Sequence, residues 1–427
     1  MRKTISLVLV GVLMVALAAG TVFARGAQEA APTETVLRIA SSTQGPTIIE
    51  NFDRLMREFE RRNPGVRVEW DRSTGTDYEF TGLPSLLESN TPPDIFFEWG
   101  GARILAGVED GYIMDITDLA NELRPVLNES AWDGAEIEGR TYMIPDNQDI
   151  TIMMWYNREI FDRYNLSPPS TWAELLSISE TLRNNGVTPI VMGNADAWVA
   201  GNFGGVFLAR WGGDDYYHQV LSMEPGTRLN NDRFVRALRF MQEMAQQGVV
   251  NQDLNTLGYR ESFTVLLDGS AAMMPMGTWF VDQILEFTED PDSFPFDYFN
   301  LPPFDGGQGH PRSIMGLNTG YVINANTRHK ELAYDFLRLL VSQQIQDGFV
   351  AAGRISTNTA AMQASADPYV RSVAEMLNST PVLIAPPDTG YNLEMARALY
   401  EAIAKAFEGM NPQAALDEAE QKVQFLR

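Results

Sequence analysis

The sequence predicts an α/β protein built as two lobes. Strand-like and helix-like stretches alternate along most of the chain, the order that gives sheets flanked by helices. The first strand, helix and strand are joined by short links, a βαβ unit whose two strands run parallel. A stretch from about residue 150 to 315 has strands and helices of its own, yet helices near the C-terminus are still needed to finish a core. Two lobes, with the chain crossing between them more than once, accommodate that pattern where a single sheet does not.

The chain opens with Met1-Arg2-Lys3, an apolar run from Ile5 to Ala19 and a small-residue exit from Gly20 to Ala24. This is the layout of a cleavable secretion signal, with Val22 and Ala24 at the −3 and −1 positions. The apolar run is shorter than the ~20 residues that span a bilayer. Residues 1–24 are therefore expected to be removed, and residues 25–35 to form a flexible mature N-terminus. No cysteine occurs, which excludes disulfides, thiolate metal sites and a thiol nucleophile. It also excludes the lipid-bearing cysteine of a bacterial lipoprotein. An exported protein without an anchor is retained only behind a second membrane, so the expected location is the periplasm.

Thr35 to Ala40 alternates and is rich in β-branched residues, a strand. After a polar loop from Ser41 to Pro46, Ile49, Phe52, Leu55, Met56 and Phe59 recur at helical spacing, and Asn63-Pro64-Gly65 stops that helix. Val66 to Trp70 is the second strand. Tyr78 to Ser89 reads as a helix weakened by Pro84. Asp94 to Trp99 is a buried-type strand running into Gly100-Gly101. Helices follow over 102–110 and 116–123, then strands over 142–145 and 150–156. Residues 172–184 form a helix capped by Ser170 or Thr171, with Glu174 placed for a capping box. A strand covers Pro189 to Met192. The remaining helices are 232–247, 259–267, 330–342, 368–377 and 392–407.

A net charge of −24 repels phosphate backbones and anionic headgroups, which argues against nucleic-acid partners. There is no P-loop lysine pattern, no G-x-S-x-G elbow and no H-E-x-x-H. With 56 acidic residues, carboxylate pairs say nothing about a glycosidase. His218, His310 and His329 are scattered, so no metal is expected. The Tyr216-Tyr217 pair is similar to the tandem tyrosines of ferric-binding proteins, but it enters a helix after Gly212 to Asp215 and reads as packing. No cofactor is implied.

Six segments in order carry a family resemblance. They are Pro93 to Phe97, Gly111 to Leu119, Gly139 to Pro145 with Met154 to Phe161, Pro168 to Leu175, Gly269 to Trp279, and Thr327 to Leu337. Together they resemble the extracellular solute-binding proteins of ABC transporters, the large family that includes maltose- and other sugar-binding proteins. The resemblance implies the type II periplasmic-binding-protein fold, with two mostly parallel sheets flanked by helices and joined by a hinge. It implies a first lobe of 36–149 plus 317–356 and a second of 150–316 plus 357–427. It also implies a monomer that closes on a carbohydrate and delivers it to permease subunits in the inner membrane. A polyamine or other cationic solute is the alternative ligand, and a secreted glycoside hydrolase the alternative of another class.

A sugar offers hydroxyls at its edges and C–H groups on its faces. Carboxylates and amides take paired hydroxyls, and Trp or Tyr rings take the faces. Such groups are expected on loops beyond the carboxyl ends of strands. Ser42, Thr43 and Gln44 precede a helix N-terminus. Trp99 adjoins Gly100-Gly101, which lets backbone approach a ligand. Gln148 and Asp149 lie at the first crossing, and Asn318 at the second. Asp196 and Trp198 follow a strand, and Trp279 ends the family's G-x-W motif. Tyr391 follows Pro386-Pro387-Asp388. Trp211 is assigned equally to core or ligand; Trp70, Trp132, Trp155 and Trp172 are assigned to packing.

Overall fold

The computed structural model describes residues 34–42, 45–73, 75–288 and 294–426. The expected signal at 1–24, most of the expected N-terminal tail, and Thr43 and Gln44 lie outside the described residues. Among the described residues there are twelve strands: β1 (Thr35–Ser42), β2 (Val66–Ser73), β3 (Ile95–Trp99), β4 (Glu136–Ile137), β5 (Arg140–Thr141), β6 (Ile144–Ile150), β7 (Met153–Asn157), β8 (Thr188–Ile190), β9 (Ala271–Met276), β10 (Phe296–Phe299), β11 (Ile314–Ile323) and β12 (Leu383–Ile384). Thr35, the last residue of the expected tail, already belongs to β1.

Two sheets define the lobes. The first runs β12-β11-β3-β1-β2, with β6 paired on β11; the second runs β10-β7-β9-β8. β1 and β2 pair in parallel from Thr35 opposite Val66 to Ser42 opposite Ser73, as the βαβ reading requires. Each sheet has its own core. Leu37, Phe52, Phe96, Tyr321 and Phe336 belong to one. Trp155, Phe203, Phe234, Met273 and Leu399 belong to the other. The fold is the two-lobed α/β architecture expected, but the second sheet is mostly antiparallel rather than mostly parallel, with β7 antiparallel to both β10 and β9 and β8 parallel to β9.

The stretch expected as one strand over 150–156 is broken in two. β6 ends at Ile150 in the first sheet and β7 starts at Met153 in the second, so Thr151 and Ile152 carry the chain across. The Thr151 amide donates to the Met315 carbonyl at 2.8 Å, and the Gln148 amide to Ile355 at 2.9 Å. The three crossing segments are thus bonded to one another. Leu383–Ile384 pairs in parallel with Ile314 and Met315 at the start of β11, and Ile314, Met315 and Ile384 pack in the second core.

Two local differences matter for the cleft. The expected helix over 78–89 is a π-helical turn, Tyr78–Gly82, followed by Leu83–Leu87; π turns widen a helix and recur at functional sites. The helix Trp198–Gly212 went unpredicted because it is buried nearly all round. It has no polar face, so it lacks the amphipathic period that marks a surface helix. Its Gly201 lies against the Tyr400 ring, where an added Cβ would come within 2.3 Å.

The same helix holds a buried arginine. The Arg210 guanidinium donates to the Leu301, Pro302 and Ser313 carbonyls and to Asn300 Oδ1, tying the segment between β10 and β11 to the second core. Burial pushes its pKa down to about 10. Removing it strands several buried acceptors. Arg210→Met is expected to lower unfolding free energy by about 2–4 kcal/mol, read by urea unfolding; a loss under about 0.5 kcal/mol would show the contacts to be dispensable.

Candidate functional site

Between the lobes lies a cleft with a cavity volume of about 130 Å³, open to solvent at its mouth. Its position follows from strand alternation. β6 and β11 are antiparallel, with Gln148 opposite Asn318 and Asp149 opposite Leu317. Successive side chains leave a strand on opposite faces, so one pair faces the cleft and the next faces away. Asp149 and Leu317 line the cleft.

Its walls are aromatic. From the first lobe come Phe97 and Trp99, edge to face at 5.0 Å and 81°, with the Arg103 guanidinium 5.3 Å over the Trp99 ring. From the second come Trp198, Trp279 and Tyr259. Trp198 stands 5.9 Å from Trp279 and 5.3 Å from Tyr259. The Trp279 indole folds back over Gly277, where a Cβ would sit 2.3 Å from the ring. That is why a glycine stands two positions before this tryptophan.

The polar lining is short of partners. Asp388 Oδ1, Thr389 Oγ1, Gln283 Oε1 and Thr151 Oγ1 are all buried without a hydrogen bond within the protein. Each of the four residues is at most 8% exposed, and all four line the cleft. Buried polar atoms are nearly always paired, so four orphans around one space mark where a polar ligand completes the set. Asn202 Nδ2 donates to Asp388 Oδ2 at 3.5 Å, and Tyr400 Oη donates to Asn202 Oδ1 at 2.7 Å. This chain orients Asp388 and leaves its other oxygen free.

Carboxylates outnumber cations here. Arg103 bonds Glu79 at 2.9 Å and approaches Glu98 at 3.4 Å. Arg354 bonds Asp146 at 2.9 Å, and Thr278 Oγ1 donates to Asp149 at 2.6 Å. Burial raises the Glu79 and Asp388 carboxyls above their ordinary range and also raises Asp149. It pushes Asp146 up to about 6, against the opposing pull of Arg354. Among the described residues no cluster of His, Cys, Asp and Glu is arranged to hold a metal ion.

Of the residues expected at the site, the structure brings together Ser42, Trp99, Asp149, Trp198 and Trp279. Gln148 and Asn318 are corrected. They face away from the cleft and bond each other, Nε2 to Oδ1 at 3.1 Å. Gln148 also accepts from Asn128, and Asn318 donates to the Ser130 and Asp133 carbonyls. Tyr391 is corrected as well. It is 7% exposed, packs edge-on against Tyr217 at 5.8 Å and meets His218 Nδ1 at 3.1 Å. Asp196 stands outside the lining. Ala197, at φ 66, reverses the chain so that Trp198 faces inward, and the Asp196 carbonyl accepts from the Trp198 amide at 2.9 Å. Trp211 stacks on Phe304 at 5.9 Å and 14°, a packing role, and Tyr217 donates to the Ala385 carbonyl.

Several lining residues were not anticipated: Glu79, Thr151, Asn202, Tyr259, Gln283, Arg354, Asp388 and Thr389. Two carried a usable signal. Asp388 follows two prolines in a loop already recognised, and Asn202 is a lone amide in an apolar, glycine-rich segment. Glu79 depends on the π turn, which no residue spacing announced.

The profile of the bacterial extracellular solute-binding proteins matches residues 40–347. An uncharacterised ABC transporter extracellular-binding protein of Pyrococcus horikoshii is 25% identical over 398 residues, 90% of this chain and 87% of that protein. The multiple sugar-binding protein of Streptococcus mutans is 22% identical over 305 residues, 68% of this chain and 67% of that one. A solved structure from work on xylan utilization by the thermophilic bacterium Caldanaerobius polysaccharolyticus superimposes with a TM-score of 0.82 at 22% identity, over 91% of this chain and 100% of that one.

The Asp388 carboxyl is raised above its ordinary 3.8, so the fold favours its protonated form. That contribution is fully present below 3.8 and is lost as pH rises through the raised value. Asp388→Asn, which stays neutral, is expected to flatten the fall in stability between pH 3.8 and neutrality. Urea unfolding across that range checks it; parallel profiles for the two proteins would contradict the assignment.

Proposed function

The chain belongs to the bacterial extracellular solute-binding protein family, and on that premise we propose that it captures a carbohydrate in the cleft and delivers it to the permease of an ABC importer. Membership makes it a binding protein rather than an enzyme. The observation that carries the carbohydrate reading is the pairing of orphaned, buried polar atoms with aromatic faces in one space. Asp388 Oδ1 and Gln283 Oε1 accept only, while Thr151 and Thr389 both donate and accept. Sugar hydroxyls satisfy all four, and the half-buried Trp99, Trp198 and Trp279 offer flat surfaces for C–H faces. The names of the Streptococcus relative and of the xylan-related structure agree with this chemistry.

A ligand held by Trp99 of one lobe and Trp198 of the other binds the closed arrangement better and shifts the population toward it. Residues 36–149 with 317–356 form the first moving body in this reading, and 150–316 with 357–427 the second. Export by the signal at 1–24, a periplasmic location and action as a monomer complete the proposal. The excess of carboxylates over free cations at the cleft supports one other reading, a cationic solute such as a polyamine.

Mass spectrometry of ligand carried through purification, followed by a thermal-shift panel of neutral sugars, uronates and polyamines, tests the assignment. A neutral sugar is expected to raise the melting temperature; a response confined to polyamines would replace the carbohydrate reading. Trp198→Ala and Trp279→Ala are each expected to weaken binding of the responding sugar by about tenfold or more, measured by calorimetry. Unchanged affinity in both would remove the stacking role.

A further inference from the structure

We infer that Asp282 is a positioning residue that holds the lobes closed, because it caps from the second lobe the first helix of the first lobe. Helix Pro46–Arg62 begins after Gly45, which has no side chain to cap it, and Pro46 brings no N–H. The next two amides are satisfied from far away. Thr47 N donates to Asp282 Oδ1 at 3.1 Å and Ile48 N to Asp282 Oδ2 at 3.3 Å, across 235 and 234 residues of sequence. Helices Trp172–Asn184, Asp232–Gln246, Leu393–Phe407 and Pro412–Val423 are instead capped locally, by Thr171, Asn231, Asn392 and Asn411.

The contact runs from core to core. Ile48 belongs to the first hydrophobic core, while Phe280 and Ile284, on either side of Asp282, belong to the second. Asp282 is 4% exposed, and a Cβ on Gly45 would lie 2.3 Å from its Oδ2. A carboxylate at the positive end of a 17-residue helix is well placed electrostatically. Opening the lobes pulls the cap off its helix and leaves both groups to water.

The same short turn reaches the ligand space. Trp279 and Gln283 line the cleft and bracket Asp282 in sequence. A ligand seated on those two side chains fixes the turn that carries the cap. This coupling rests on the carbohydrate-capture reading; the latch itself stands on the lobe geometry alone, so a failed sugar panel leaves it intact.

Pulsed EPR distances between spin labels test it, and the absence of native cysteine makes labelling clean. Asp110→Cys and Glu394→Cys place labels on exposed residues that border the same groove between the lobes. The full chain as purified is expected to show a short-distance, closed component. Asp282→Ala is expected to cut the closed-to-open ratio about fivefold, the worth of one helix cap. Gly45→Ala is expected to do the same by displacing the carboxylate. Its φ of −72 suits alanine, so this variant keeps the test open if Asp282→Ala folds poorly. Asp282→Asn retains an acceptor and is expected to keep the closed component. A closed component unchanged in Asp282→Ala and Gly45→Ala, or missing from the parent chain, would overturn the inference. So would equal loss in Asp282→Asn and Asp282→Ala.

Discussion

The antiparallel pairing of β6 with β11 is the constraint on which the rest depends. β6 ends where the chain leaves the first lobe and β11 begins where it returns, and their register fixes which side chains enter the cleft. With Asp149 opposite Leu317 and Gln148 opposite Asn318, alternation assigns one pair to the ligand space and the next to a hydrogen-bonded brace behind it. A slip by one residue would exchange the two sets. The brace explains why so polar a pair is tolerated there. Gln148, Asn318, Asn128 and Ser130 satisfy one another, so the crossing is held rigidly while the space in front of it stays unsatisfied.

That contrast between satisfied and unsatisfied polar groups runs through the molecule. Both terminal nitrogens of Arg210 are engaged within the second core. Arg103 and Arg354 are matched to carboxylates at the cleft edge. Around the ligand space, by contrast, buried oxygens such as Asp388 Oδ1 and Thr389 Oγ1 are left without partners within the protein. Unpaired buried acceptors cost free energy, and a site that tolerates them discriminates strongly against ligands lacking the matching polar groups. The lobes meet through the same logic, since the first helix has its end completed by a carboxylate from the opposite side.

The fold was readable because its signals are local. Strand alternation at Thr35 to Ala40, helical spacing from Ile49 to Phe59 and the capping box at Thr171 and Glu174 each need only a few neighbouring residues. The two lobes were readable from where those patterns were interrupted. Candidate ligand residues were readable when they were large and lay on loops after strands, as with Trp99, Trp198 and Trp279. What escaped depends on distant contacts. The facing of Gln148 is set by register against a strand some 170 residues away. Glu79 reaches the cleft through a π turn, and Tyr391 is drawn inward by Tyr217 and His218. The helix Trp198–Gly212 was missed because a segment buried on every side has no polar face to mark its period.

The placement of the indoles gives the molecule an optical property. Of its eight tryptophans, Trp99, Trp198 and Trp279 border the cleft. Trp132, Trp155 and Trp172 are buried in the cores, while Trp70 and Trp211 are fixed against Phe52 and Phe304. The packed rings contribute a steady emission. Those at the cleft change surroundings from water to solute when the space fills, so intrinsic fluorescence reports occupancy without any added dye.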